Sequence, residues 1–93
     1  VVMGEWDHCF VYVILLDLPS TFRKPGVYVG TTKHLPLERF LEHKRGVNAS
    51  RWVRKYGVRI VETQLVRCKN AMRMEEKTAK RYKALGYTVK GGH

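Results

Sequence analysis

Cysteine is scarce in this chain. Cys9 and Cys68 are the only two in 93 residues, too few for a disulfide scaffold, and neither has a metal-ligating neighbour at short spacing. They are expected to be a reduced thiol pair in a cytoplasmic protein. Long hydrophobic runs are also missing. The longest, Cys9 to Leu16, falls well short of the ~20 residues a membrane helix needs, so no membrane partner is expected. Glu5 and Asp7 precede that run and no small-residue cleavage site follows it, which argues against a secretory signal. No internal repeat, low-complexity tract or break in composition marks a boundary. Residues 1–93 are therefore read as one domain, near the small end of what can bury a core. Acidic residues are few as well: 8 Asp and Glu stand against 18 Lys and Arg, a formal net charge of +10. Such an excess implies a polyanionic partner, because basic side chains gain by releasing counterions condensed on nucleic acid. A basic ribosome-associated protein would share this composition, so charge alone says nothing about chemistry.

The ordinary apolar content supports a folded chain. Cys9 to Leu16 is rich in β-branched residues and reads as a strand covered on both faces, central in its sheet. Alternation puts Phe10, Tyr12, Ile14 and Leu16 on one face, with Val11, Val13 and Leu15 on the other. Two prolines and a glycine between Asp17 and Gly26 make a turn, and Val27 to Gly30 returns as a second strand. A helix starts at Pro36 and stops at Gly46. The stretch 48–50 caps a short helix over Arg51 to Tyr56. Val58 to Val66 is the third strand, whose Arg59, Glu62 and Gln64 suit an edge or a half-solvated face. A last helix runs from Lys69 or Asn70 to about Leu85, with Tyr87 to Val89 as a further short extended stretch. The class is α/β (α+β): a small three-stranded antiparallel or mixed sheet flanked by helices.

Two places in this layout carry chemistry. In the Pro36 helix, at about 100° per residue, Leu37, Phe40, Leu41 and the stem of Lys44 form an apolar arc, with Arg39 and His43 on a ridge just off it. Preceded by a strand ending in Tyr28, that helix makes a phosphate-handling corner, or else a core tyrosine beside two solvated side chains. In the last helix, Ala71, Met72, Met74, Thr78, Ala79, Tyr82 and Leu85 fill one arc and the basic residues the other. Glu75 sits near the middle of the apolar arc. A carboxylate aimed at a core costs several kcal/mol unless it is paired or bound to a cation. Two readings stand: an ion pair with an arginine such as Arg39, or a metal ligand.

With these residues in place, the chain resembles the GIY-YIG nuclease family over nearly its whole length. Phe10-Val11-Tyr12 and Tyr28-Val29-Gly30 match the two tripeptides that name the family. Thr32, Leu35, Arg39, His43 and Gly46 follow in the order and spacing of its middle motif, and Ala71 to Glu75 match the context of its metal-binding glutamate. Phe10 stands where the family has glycine, the connection between the tyrosines is longer than usual, and Val89-Lys90-Gly91-Gly92 lacks the asparagine many members carry.

The resemblance implies a metal-dependent DNA endonuclease in which Glu75 holds one divalent ion, Mg²⁺ or Mn²⁺, a role suited to one carboxylate plus waters and phosphate oxygen. Arg39 would clamp the scissile phosphate. The general base would be Tyr12, assisted by Tyr28 or His43, or else His43 itself. A phenol with a pKa near ~10 needs cations around it to work near neutrality. Lys33, Lys44, Arg45, Arg51, Arg54 and Lys55 are expected to track the DNA backbone without reading sequence. The alternative is a catalytically silent nucleic-acid-binding module on the same fold. Monomer and homodimer remain equally open. His8, His34 and His93 are assigned to the surface. Trp6 could stack on bases, whereas Trp52 is read as core because it shares a helix face with Val53 and Tyr56.

Overall fold

An apolar run with β-branched residues on both faces is satisfied only where both faces are covered. In the computed structural model, which describes residues 7–22 and 24–91, this run is β1 (His8–Leu16), one of the two strands paired on both sides. The remaining elements are β2 (Gly26–Thr32), α1 (Pro36–Arg45), α2 (Arg51–Tyr56), β3 (Gly57–Arg67), α3 (Cys68–Ala84) and β4 (Thr88–Gly91). The sheet order is β3-β1-β2-β4. β1 runs antiparallel to both β2 and β3, and β4 lies parallel to β2. The sheet is thus mixed and four-stranded rather than three-stranded. Gly86, at φ +98°, turns the chain after α3 and lets Thr88–Gly91 pair along Gly26–Val29; so short a strand leaves no periodic signal in sequence.

Alternation along β1 sorts the core into two layers. Val11, Val13, Val27 and Val29 pack with Ala79 and Tyr82 of α3. On the other face Tyr12, Ile14 and Leu16 pack with Val53 of α2, bordered by Tyr28, Phe40, Trp52 and Tyr56. β3 is an edge strand, as its polar positions require. No helix among the described residues is long and apolar enough to cross a membrane. Glu5, Trp6 and His93 lie outside the described residues.

Three expectations are corrected. Cys9 and Cys68 are joined in a disulfide, with Cα atoms 4.9 Å apart, instead of being free thiols; the argument from reduced thiols to a reducing compartment loses its premise. β1 and the first residue of α3 meet at the same end of the sheet, where the Cys68 N–H donates to the Asp7 carbonyl at 3.1 Å, and sequence spacing carries no sign of that meeting. The second correction concerns the rotation of α1. Leu37 and Leu41 are 61% and 41% exposed, while Pro36 and His43 are buried. Polar anchoring of Arg39 and His43, described below, turns the Pro36–Arg39–Phe40–His43 arc inward. Third, Met72 and Leu85, at the margins of the apolar arc of α3, are exposed; the rest of that arc is buried or half-buried.

Candidate active site

Tyr12 is delivered by the middle of β1, and across the ladder it faces Gly30 of β2. The absence of a side chain there makes room for its ring: a Cβ on residue 30 would stand 2.6 Å from the Tyr12 oxygen and 3.0 Å from Tyr28 Cε2. Tyr28 lies on the same sheet face, its ring centroid 6.3 Å from that of Tyr12. The His43 ring completes the group, 6.2 Å from Tyr12 and 5.6 Å from Tyr28.

Hydrogen bonding sets the protonation of His43. Ser50, the N-cap of α2, donates its backbone N–H to His43 Nδ1 at 3.0 Å, so Nδ1 is an acceptor and carries no proton. The proton of the neutral ring is then on Nε2, which lies 2.9 Å from the Tyr12 oxygen and donates to it. Burial, reinforced by the Arg39 charge, lowers the His43 pKa to about 4 against a weaker opposing effect of Glu42. The imidazole is therefore neutral near pH 7 with both nitrogens engaged.

Arg39 is anchored by the loop after α1. Its Nη1 donates to Glu42 Oε1 and to the Val47 carbonyl at 3.3 and 3.2 Å, and its Nη2 to the Asn48 carbonyl at 2.7 Å. Gly46, at φ +86°, supplies the left-handed residue that ends α1 and brings those carbonyls round. Among the described residues these are the hydrogen bonds of the guanidinium, leaving the Nε–H and one Nη2 hydrogen for other acceptors. Both phenols feel it. Burial drives the Tyr12 pKa strongly upward, Tyr28 and Glu75 push the same way, and Arg39 opposes them. Burial also raises Tyr28, joined by Glu75 and opposed by Arg39 and the Ser50 hydroxyl.

Glu75 comes from α3, beneath the other face of the sheet, yet its charge acts on both phenols. It is 6% exposed. Among the described residues the ion pairs are Lys33–Asp7, Arg39–Glu42 and Arg81–Glu62, so the pairing of Glu75 with Arg39 is not realised. Glu75 instead lines an open cleft of about 450 Å³ together with Thr31, Thr32, Lys33, Cys68 and Ala71. Tyr12, Tyr28, Arg39 and His43 form one cluster that does not line this cleft; Glu75 links the two through its charge. A nearly buried carboxylate with no cationic partner among the described residues, open to a cleft, fits a site for one divalent ion completed by water and ligand oxygens.

The expected backbone-contacting cations divide into two kinds. Lys33, Arg45, Arg51, Arg54 and Lys55 are exposed. Lys44 is exposed but committed, its Nζ donating to the Arg54 and Gly57 carbonyls at 3.2 and 3.1 Å, where it fastens the end of α2 to α1. Two residues of this region escaped the sequence reading. Ser50 was legible as a helix cap, but its hold on His43 follows only from the folding of the loop 46–50. Lys90, opposite Tyr28 in the β2–β4 ladder, reaches the Trp52 ring with its Nζ 4.2 Å from the centroid.

Comparison with protein-family models, curated proteins and solved structures finds no match to this chain.

Proposed function

We propose that this chain is a metal-dependent DNA endonuclease of the GIY-YIG type, hydrolysing phosphodiester bonds with the cluster of Tyr12, Tyr28, Arg39 and His43 and with Glu75 in its cleft. One arrangement carries the reading: a nearly buried Glu75 carboxylate, with no cationic partner among the described residues, raises by its charge the buried Tyr12 and the half-buried Tyr28, which share a histidine and an arginine. In a purely structural core that arrangement is a net cost.

Hydrogen bonding and position support the following roles. His43 has no free lone pair with which to take a proton, so it is a donor that holds the Tyr12 oxygen and favours phenolate. Tyr12 is then the general base toward water, and Tyr28 lies beside it to orient that water or the phosphate. The remaining N–H groups of Arg39 bind non-bridging phosphate oxygens. Glu75 would hold the divalent ion, which when bound supplies Lewis-acid stabilisation of the leaving oxygen and offsets the negative charge that raises both phenols. The basic surface of α1 and α2 carries the DNA backbone.

The test uses labelled single-stranded, duplex and branched DNA with Mg²⁺, Mn²⁺ or EDTA, beside Glu75→Ala and Tyr12→Phe. Metal-dependent cleavage reduced at least ~100-fold in both variants is the expected result. Cleavage that persists in EDTA or in both variants removes this mechanism. Binding without any cleavage would leave a nucleic-acid-binding module.

A further inference from the structure

The lone helix turn and a half of α2 carries a second feature that the hydrolytic cluster does not use. Val53 is its buried anchor, at 0% exposure. Arg51, Trp52, Lys55 and Tyr56 fall within an arc of about 140° at 100° per residue, and together they line a slot of about 190 Å³. Trp52 and Tyr56 are stacked, with centroids 6.0 Å apart and planes inclined by 30°. Three cations surround the rings: Arg51 over Trp52 at 5.1 Å, Lys55 over Tyr56 at 5.5 Å, and Lys90 over Trp52 at 4.2 Å. The lengthened connection between β1 and β2 contributes Phe22, whose ring meets Trp52 edge-on at 6.1 Å. No acidic residue lies on α2. A structural role for Trp52 and Tyr56 calls for apolar neighbours; it does not call for cations over both rings.

We infer that this slot binds an unpaired nucleobase of single-stranded DNA, stacked on Trp52 and Tyr56, with Arg51, Lys55 and Lys90 taking the flanking phosphates. Aromatic stacking requires the face of a base, which its neighbours cover in an intact duplex. The position matters as much as the chemistry. Arg51 directly follows Ser50, whose N–H holds His43, so the base in the slot belongs to a nucleotide close to the phosphate that Arg39 clamps. The substrate is thereby a strand unpaired next to the cut: single-stranded, flapped or overhanging DNA. This refinement rests on the nuclease reading for its consequence, while the binding itself can be measured without catalysis.

The experiment titrates the intact chain, in EDTA, with a fluorescently labelled short oligothymidylate. An abasic oligomer of equal length and charge and a blunt duplex run in parallel. The base-bearing strand is expected to bind at least about fivefold more tightly than the abasic one. Trp52→Leu and Tyr56→Leu should each bring that ratio toward one, while Arg51→Ser and Lys55→Ser weaken both oligomers alike and preserve it. Equal affinity of the unmodified chain for base-bearing and abasic strands overturns the proposal, whether or not the leucine variants fold. An unchanged ratio in folded leucine variants overturns it too, since the base is then held elsewhere. Base-dependent binding without cleavage would retire the nuclease reading and leave the slot standing; cleavage without base dependence would do the reverse.

Discussion

A methyl group at position 30 would collide with the oxygen of Tyr12, which is 1% exposed and bonded to His43. The ring cannot swing into solvent, so Gly30→Ala forces Tyr12 off His43 or pushes the two strands apart. The expected outcome is a folded protein destabilised by about 1–3 kcal/mol, with DNA cleavage down by more than ~10-fold; denaturant melts and single-turnover assays check the two parts. His43 makes a separate prediction through pH. Its folded pKa of about 4 lies below its ordinary value of 6.5, so between these limits the unfolded chain binds more protons than the folded one. Stability is therefore intact above pH 6.5 and falls as the pH is lowered toward 4, by about 3 kcal/mol at most. His43→Gln, which can still donate to Tyr12, should flatten that slope in urea melts taken across the window. At this scale the sequence pointed to candidate side chains but not to their partners. Tyr28, Arg39, His43 and Glu75 stood out from residue type and spacing, and Tyr12 through the family resemblance. The backbone N–H of Ser50, which selects the histidine tautomer, was not, because every residue but proline has one.

Among the elements, α3 has the task of holding Glu75 at one end while being braced at the other. The brace is Glu62 of β3, which accepts from Tyr82 at 2.8 Å, from Gln64 at 2.8 Å and from Arg81. Gln64 also donates to Thr78 at 2.9 Å. Burial pushes the Glu62 carboxyl up, but the hydrogen bonds from Arg81, Tyr82 and Gln64 outweigh it and hold the pKa below the usual carboxylate value. Glu62→Ala is expected to cost about 1–3 kcal/mol near neutrality. A depressed carboxylate stabilises above its unfolded pKa and loses that contribution as the pH drops through the folded value. The difference between variant and parent should therefore shrink in acid; guanidinium melts near neutrality and in acid would show it. The periodicity of α3 located its buried face correctly because a helix of 17 residues averages over many side chains. In the ten residues of α1, two hydrogen-bonded polar side chains outweigh two leucines, and the apolar arc gave the wrong rotation.

At the scale of the whole molecule, the Cys9–Cys68 bond closes a loop across 59 positions and ties β1, which carries Tyr12, to the start of α3, which carries Glu75. A link over so long a stretch restricts the unfolded chain strongly, with a stabilisation of about 2–4 kcal/mol. Reduction with a dithiol is expected to lower Tm by roughly 10–20 °C, and Cys9→Ala with Cys68→Ala should match the reduced protein. A Tm unmoved by reductant would show that the core carries the fold unaided. The net charge of +10 acts at this scale as well, since it favours any polyanion, and on the proposed reading the cations of α1 and α2 set the face that the DNA meets.

Local physics was enough to assign the class and most of the elements. An apolar β-branched run demands a covered strand, Gly46 and Ser50 end and begin helices whatever surrounds them, and a carboxylate in an apolar helical arc signals an unusual environment. Tertiary packing alone decided the fourth strand, the disulfide, the rotation of α1, the tautomer of His43 and the cations gathered over Trp52. Each of these depends on groups distant in sequence meeting at a few ångströms, and their energies come from contacts that no window along the chain contains.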